Sequence, residues 1–492
     1  MTKEIGHRQP KVAIIREVLN VFVSLIWPAF FGILRFSGSR VFQLGIVVIL
    51  LLVSLAFGFL KWYFFTYITT EHEISLKRGI FAKKHVHLPF ERIQTITRNQ
   101  PIYFQPFDVF HVTIETSGKS QDKIEFSALT LPQIEHIENL RRRSQTKSAD
   151  VIKTLSEQPA IAASYQINDR DLCLFALTSL GSLGTVGAIF LIFSQVQEFL
   201  PATLSRQFTA WLNQQNVTIF IGLVMIFIIF GFLLSFFKLY SQYFQFKISR
   251  IGHHLAITRG LFTKQNVQLR VSRVQAVHFQ QSLLRRLVKL VSVDVLLASS
   301  VNNTKGEVKQ TSIMPVVRMS SAGEVIQPFL PQYHFINPTN SMNANRALWY
   351  RLNMIFWLDI FIASLIWVTY YIIKWAIHFQ LPYDRPLLII CTILLIGYSL
   401  LASWWQMMDQ RIQVDGQYLI VQLSSNFTKH TYYMPREKIQ SIATSRSMLL
   451  INKQITHLHI TVRDGDSTRR LTLRYLQEPL VKKINSWIVD VK

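Results

Sequence analysis

Few residues in this chain have the type and spacing that chemistry needs. His85 and His87, like His457 and His459, form His-x-His pairs. In a strand both rings of such a pair point to one face, the arrangement a metal ion requires. No third histidine or carboxylate stands beside them in a recognisable pattern, so the pairs read as polar residues on a solvated face, and no metal is expected. Gly118-Lys119-Ser120 has the tail of a phosphate-binding loop. Thr113 occupies the place of its first glycine, however, and the surrounding pattern is strand–turn–strand, without the helix whose amides would cradle a phosphate. Asp359 is an acid within an apolar run, where a charge costs about 2.5–3.5 kcal/mol on insertion scales. It lies five residues beyond Met354, about 8 Å of helix rise, which favours the membrane interface beside Arg351; burial in a helix bundle is the alternative. Lys77, Arg78, Lys83 and Lys84, with Arg259 and Lys264 matching part of the pattern later on, form basic loops of the kind that meet anionic lipid. A general excess of cations on the cytoplasmic side of a membrane accounts for them more simply than a dedicated headgroup pocket does. No Ser/His/Asp set, paired carboxylates, nucleotide fingerprint or zinc cluster is recognisable, so neither an enzymatic activity nor a cofactor is expected.

The elements that carry these residues are set by hydropathy. Half of the 492 residues are apolar and the mean hydropathy is +0.24, an excess concentrated in six runs: Val18–Leu34, Val41–Leu60, Leu172–Phe193, Val217–Phe237, Met354–Ile373 and Leu387–Trp405. Each approaches the ~20 residues that cross a hydrocarbon core as a helix, which satisfies its own backbone where water cannot. Lys61, Trp62 and Tyr63, Trp349 and Tyr350, and Trp404 and Trp405 stand at the ends of the runs as interfacial anchors. Gly181, Gly184, Gly187 and Ala188 give the third run a small-residue stripe suited to close helix packing. The two cysteines, Cys173 and Cys391, lie within apolar runs and form no disulfide framework.

Charge orients the spans. The formal net charge is +24, but its distribution points to topology rather than nucleic acid. Residues 238–353 hold fifteen Lys and Arg against three acids, and residues 406–492 hold thirteen against seven. The short links between paired spans hold few charges. Together with Arg8, Lys11 and Arg16 ahead of the first span, this predicts a cytoplasmic N-terminus and cytoplasmic large segments.

Those large segments repeat. Ser75-Leu76-Lys77-Arg78-Gly79-Ile80-Phe81 is followed by Arg92-Ile93-Gln94; Ala256-Ile257-Thr258-Arg259-Gly260-Leu261-Phe262 is followed, at the same spacing, by Arg273-Val274-Gln275; and Lys438-Ile439-Gln440 marks a third copy. The register continues into Val112 and Ile114, Val293 and Val295, and Leu458 and Ile460, which are expected to face a core because alternate strand residues share a face. Each segment reads as strands followed by a helix, with Asp464-Gly465 a hairpin signal and Leu480, Ile484, Trp487 and Ile488 spaced for a helix.

This layout resembles the bacterial pleckstrin-homology-like (PH-like) membrane proteins of the YdbT and YdbS type, over almost the whole chain. The resemblance implies three repeats of a transmembrane helix pair followed by a PH-like β-sandwich or barrel with a C-terminal helix. The expected boundaries are 1–65 for the N-terminal segment and first hairpin, 66–150 for the first domain, 151–171 for a linker, 172–240 for the second hairpin and 241–335 for the second domain. A linker at 336–353, a hairpin at 354–407 and a third domain at 408–492 complete the chain. Ser425 stands where Gly79 and Gly260 stand in the other copies, which weakens the expectation of a left-handed turn there. The resemblance supplies a fold more than an activity. The function expected is that of a non-enzymatic scaffold in the bacterial plasma membrane, envelope-related, in contact with membrane lipids. Its expected partner is a second membrane protein of the same family or another copy of itself, and nucleic acid is not expected. A transporter or lipid-handling protein using the six-helix bundle is the alternative; it would call for broken helices or midplane charge, which the runs lack.

Overall fold

The computed structural model describes residues 7–35, 40–116, 124–147, 161–179, 217–298, 311–338, 345–377, 384–446, 448–465 and 467–489. The Gly118-Lys119-Ser120 turn and most of the third apolar run, with its small-residue stripe, lie outside them. The chain divides into two units, Met1–Val271 and Ser272–Lys492.

In the first unit, α1 (Ala13–Arg35) and α2 (Arg40–Tyr63) form a hairpin of largely apolar helices. They touch at Gly58, where an added Cβ would lie 2.8 Å from the Val18 backbone nitrogen; only a residue without a side chain permits that approach. Then come β1 (Thr66–Thr69), β2 (Glu73–Arg78), β3 (Lys84–Pro89), β4 (Ile93–Pro101), β5 (Val109–Thr116), β6 (Ile124–Thr130) and the helix α3 (Leu131–Lys147). Strand alternation turns Ile74 and Leu76 of β2 and Ile124 and Phe126 of β6 into one core, which Ile134 and Ile137 of α3 close. The hairpin is fastened to this domain. Ala13 packs with Phe104, Val109 and Ala128, and the Trp62 indole donates to the Gln9 carbonyl at 3.0 Å. The unit continues with β7 (Ile161–Gln166), α4 (Asp169–Leu177), α5 (Val217–Tyr243), β8 (Lys247–Ile251), β9 (His254–Arg259) and β10 (Thr263–Arg270). The expected linker 151–171 thus contains β7 and the start of α4. β7 pairs with β8 and extends its sheet.

The second unit begins with β11 (Val274–Gln281), β12 (Leu290–Leu297) and β13 (Thr311–Arg318). The hairpin α6 (Asn345–Ile377) and α7 (Asp384–Asp409) follows, α6 starting within the expected linker 336–353. After it come β14 (Arg411–Asp415), β15 (Tyr418–Ser425), β16 (Thr428–Pro435), β17 (Ile439–Ser445), β18 (Ile455–Asp464), β19 (Ser467–Gln477) and α8 (Glu478–Val489). Leu458, Ile460, Leu471 and Leu473 meet Ile412, Leu419 and Val421, with Val481 and Ile484 of α8 laid across them. The six aligned positions expected to be core are at most 1% exposed. Among the described residues, four helical stretches are long and apolar enough to cross a membrane: Gly45–Tyr63, Met225–Tyr243, Leu348–Lys374 and Leu388–Asp409.

The sheets are out of phase with the sequence repeats. β1–β2–β3 stand as one sheet, but the next runs β6–β5–β4–β10–β9–β8–β7, joining the first repeat to the second. A third runs β13–β12–β11–β16–β15–β14, joining the second repeat to the third, and β17–β18–β19 form the last. Each junction is an antiparallel ladder between two edge strands, β4 with β10 and β11 with β16. Strands that would otherwise expose unpaired amides and carbonyls thus satisfy one another.

Candidate functional site

The repeated motif builds corners. Arg92, Arg273 and Lys438 each end a single 3-10 turn, Phe90–Arg92, Val271–Arg273 and Arg436–Lys438. The ladder then skips one residue in each copy, between Ile93 and Thr95, Val274 and Ala276, and Ile439 and Ser441. The skipped residues are the motif glutamines Gln94, Gln275 and Gln440. A bulge of this kind bends and twists its strand, here as the chain leaves one sheet for the next. The Gln94 side chain lies outside the described residues, Gln275 donates to the Arg273 carbonyl at 3.4 Å, and Gln440 is exposed. The motif thus marks a backbone corner and bulge in each copy.

The turns before the corners differ in a telling way. Gly79 and Gly260 have φ of +120° and +109°, and a Cβ on Gly260 would meet the Thr263 carbonyl oxygen at 2.1 Å. In the third copy the left-handed conformation survives despite Ser425: it moves to Asn426 (φ 46°) and Phe427 (φ 61°), making a two-residue hairpin loop. Gly260→Ala is expected to destabilise the first unit by about 1–3 kcal/mol, and Ser425→Gly to change stability by less than about 0.5 kcal/mol. Equal effects in thermal unfolding would contradict this assignment of strain.

The basic residues part company. Lys77, Lys83 and Lys84 are exposed and Arg78 half-buried around the tip of the β2–β3 hairpin, where Phe81 is 91% exposed. In the second repeat, Arg259 instead stacks on Tyr243 (4.9 Å) and donates to Gln265. Lys264 stands opposite Gln100 in the β4–β10 ladder. The tips of the second and third copies rest on helices, Phe262 on Phe237 of α5 (5.9 Å) and Phe427 on Tyr398 and Trp405 of α7 (5.7 Å each). The histidine pairs have partners of their own: His87 meets Glu73 at 3.1 Å, His457 accepts the Tyr475 amide at 3.0 Å, and His459 lies between Ser445 and Thr472. Asp359 is 4% exposed and accepts a hydrogen bond from the Ser399 hydroxyl across the α6–α7 hairpin. It is turned into the helix pair, the alternative left open by its position in the sequence.

One cluster has no counterpart in the sequence motifs. A cavity of about 520 Å³ opens where the third helix pair meets its domain, lined by Arg351 of α6, Gln406 of α7, His430 of β16 and Arg469, Arg470 and Arg474 of β19. No carboxylate is among its described lining residues. Asp464 is taken by Arg469 at 3.5 Å, and Asp409 holds Arg286 through two bonds of 2.8 and 3.0 Å. Burial pushes His430 down to about 4, and Arg469 adds to the shift. His457 and His459 are likewise held below the usual histidine value, by burial first and then by neighbouring arginines. With Arg469 paired and the histidines held neutral, Arg351, Arg470 and Arg474 leave the site net positive. Sequence reasoning missed it because Arg351 is more than a hundred residues from β19; the nearest signal was Arg470 and Arg474, which share one face of a strand.

The comparisons with known proteins agree with this architecture. The family model described as bacterial PH domain matches three times, at residues 22–145, 176–328 and 355–492. Over 484 residues the chain is 22% identical to the UPF0699 transmembrane protein YdbT of Bacillus subtilis (strain 168), covering 96% of this chain and 94% of that protein. No solved structure matches the chain. Each match begins within a helix and runs to or near the end of the domain that follows, and the chain belongs to the bacterial PH domain family.

Proposed function

We propose that this protein is a non-enzymatic scaffold in the bacterial plasma membrane, its N-terminus and PH-like domains on the cytoplasmic side, serving an envelope-related task by binding other PH-like domains edge to edge. The observation that carries the reading is the register of the two junctions. Val267 stands opposite Thr97 and Tyr432 opposite His278, each pair lying six residues before and five residues after the basic residue of its corner. Lys264 opposite Gln100 and Lys429 opposite Gln281 repeat the same pairing three residues along. A joint used twice in one register is a joint that can be used again.

β17 is the strand that would use it. It occupies the place of β4 and β11, yet among the described residues it pairs only with β18. Ser441, Ala443, Thr444 and Ser445 are exposed, where Thr95, Thr97, Ala276 and His278 are buried. The strand Ile439–Ser445 carries no charge and no proline, the devices by which proteins usually blunt an open edge. The occupant is a PH-like domain of another membrane protein, presenting the strand equivalent to β10 or β16. A second copy is a poorer match, since the repeated register would set its Lys83 against Arg446, where the two internal joints set lysine against glutamine. A photo-crosslinking residue at Ala443, in the full-length protein in native membranes, is expected to capture a strand of another PH-like chain. Capture of Val86 in a second copy would keep the edge but replace the partner. Adducts to lipid alone would end the reading.

A further inference from the structure

We infer that the arginine-lined cavity of the third repeat binds a phosphate group, in the first instance that of an anionic phospholipid headgroup. The site is distinct from the strand edges and does not depend on the scaffold reading.

Its position fits a headgroup. Arg351 and Gln406 belong to stretches long and apolar enough to cross a membrane, Leu348–Lys374 and Leu388–Asp409. Arg351 is close to the first residue of its stretch and Gln406 close to the last of its own, so both stand at the same end of the helix pair, where acyl chains give way to headgroups. The domain side of the cavity is held against that end by the Phe427 tip, packed on Trp405 and Tyr398. Tyr350 takes the Lys453 ammonium over its ring at 4.1 Å.

Its chemistry fits a phosphate. Arg351 is 8% exposed and bonds to Gln406, but its Nε is buried with no hydrogen-bond partner. A buried guanidinium with an unused donor is costly unless an acceptor reaches it. Arg470 and Arg474 are exposed on one face of β19, four residues apart with Thr472 between them, and a guanidinium fork binds two phosphate oxygens at once. Arg469 stays with Asp464 and lies 5.7 Å above Tyr432, so it shapes the wall. The lowered histidines keep His430 and His459 neutral near pH 7, and the positive charge rests on the arginines.

The test uses the full-length protein in a non-ionic detergent, titrated with short-chain phosphatidylglycerol, with the matching diacylglycerol and with inorganic phosphate. Phosphatidylglycerol is expected to bind and diacylglycerol to fail. The double variant Arg470→Gln, Arg474→Gln, at exposed positions, is expected to weaken binding by about ten-fold or more, as losing hydrogen bonds to a charged group does. Arg463→Gln, exposed and outside the cavity, is expected to change it little. Saturation by inorganic phosphate as tight as by the lipid would assign the same pocket to a soluble phosphate compound. Undiminished binding in the double variant, or an equal loss in Arg463→Gln, would overturn the proposal.

Discussion

Phe126→Ala is expected to cost the first domain about 3–5 kcal/mol, the range for truncating a buried aromatic side chain. Phe126 is fully buried on β6. Its ring meets Phe65 at 6.0 Å and Tyr67 at 5.3 Å, both edge-on. Tyr67 lies on β1 and β6 in a different sheet, so one ring ties the two layers of the domain together. Its removal leaves a void that neighbours on opposite sheets cannot close without moving the sheets. Phe81→Ala, the same truncation at a residue 91% exposed, is expected to change stability by less than about 0.5 kcal/mol. Pulse proteolysis of the full-length protein in detergent separates the two. Equal loss from both would mean that the domain core has been misassigned.

The second large effect is acid sensitivity at the β11–β16 junction. His278 and His430 share a hydrogen bond of 3.0 Å, and the His278 ring stacks on Tyr432 at 4.3 Å with the planes 5° apart. Burial holds His430 at about 4, with Arg469 repelling a second positive charge, whereas the unfolded chain takes up the proton near 6.5. The group is therefore neutral in the fold and charged in the unfolded state between these values. Its contribution is constant above pH 6.5, declines as pH falls below that, and is fully lost by about pH 4. Integrated over the interval, the loss is about 3 kcal/mol. His430→Gln should flatten the decline in unfolding free energy between pH 6.5 and 4 while leaving the value at pH 8 within about 1 kcal/mol. Superimposable pH profiles for the two proteins would show that His430 is not the group responsible.

Much of this architecture was legible from short-range pattern. Continuous apolar runs announce membrane helices because backbone groups in lipid must bond within their own segment, and among the described residues four helical stretches long and apolar enough to cross a membrane stand on the second, fourth, fifth and sixth runs. Val112, Val293 and Leu458 could be placed inside from alternation alone, since strand residues two apart share a face. The motif at Arg92, Arg273 and Lys438 marked the repeat correctly. Its meaning did not follow from its residue types: only the ladder shows the corner and the bulge.

By itself, the sequence determined the number of repeats, the apolar runs, many of the strands and the aligned residues that face each domain core, while β7 fell in an expected linker. All of these depend on periodicity within a few turns or strand lengths. Tertiary structure alone decided which edge strands join, that β4 belongs with β10 and β11 with β16, because backbone pairing is nearly indifferent to side-chain identity and leaves little trace in composition. It also decided that Arg351 shares a cavity with Arg470 and Arg474, and that Asp359 turns toward Ser399. Those meetings depend on how a helix pair and a sheet pack against each other, and the residues concerned are brought together across distances in the chain that no local pattern spans.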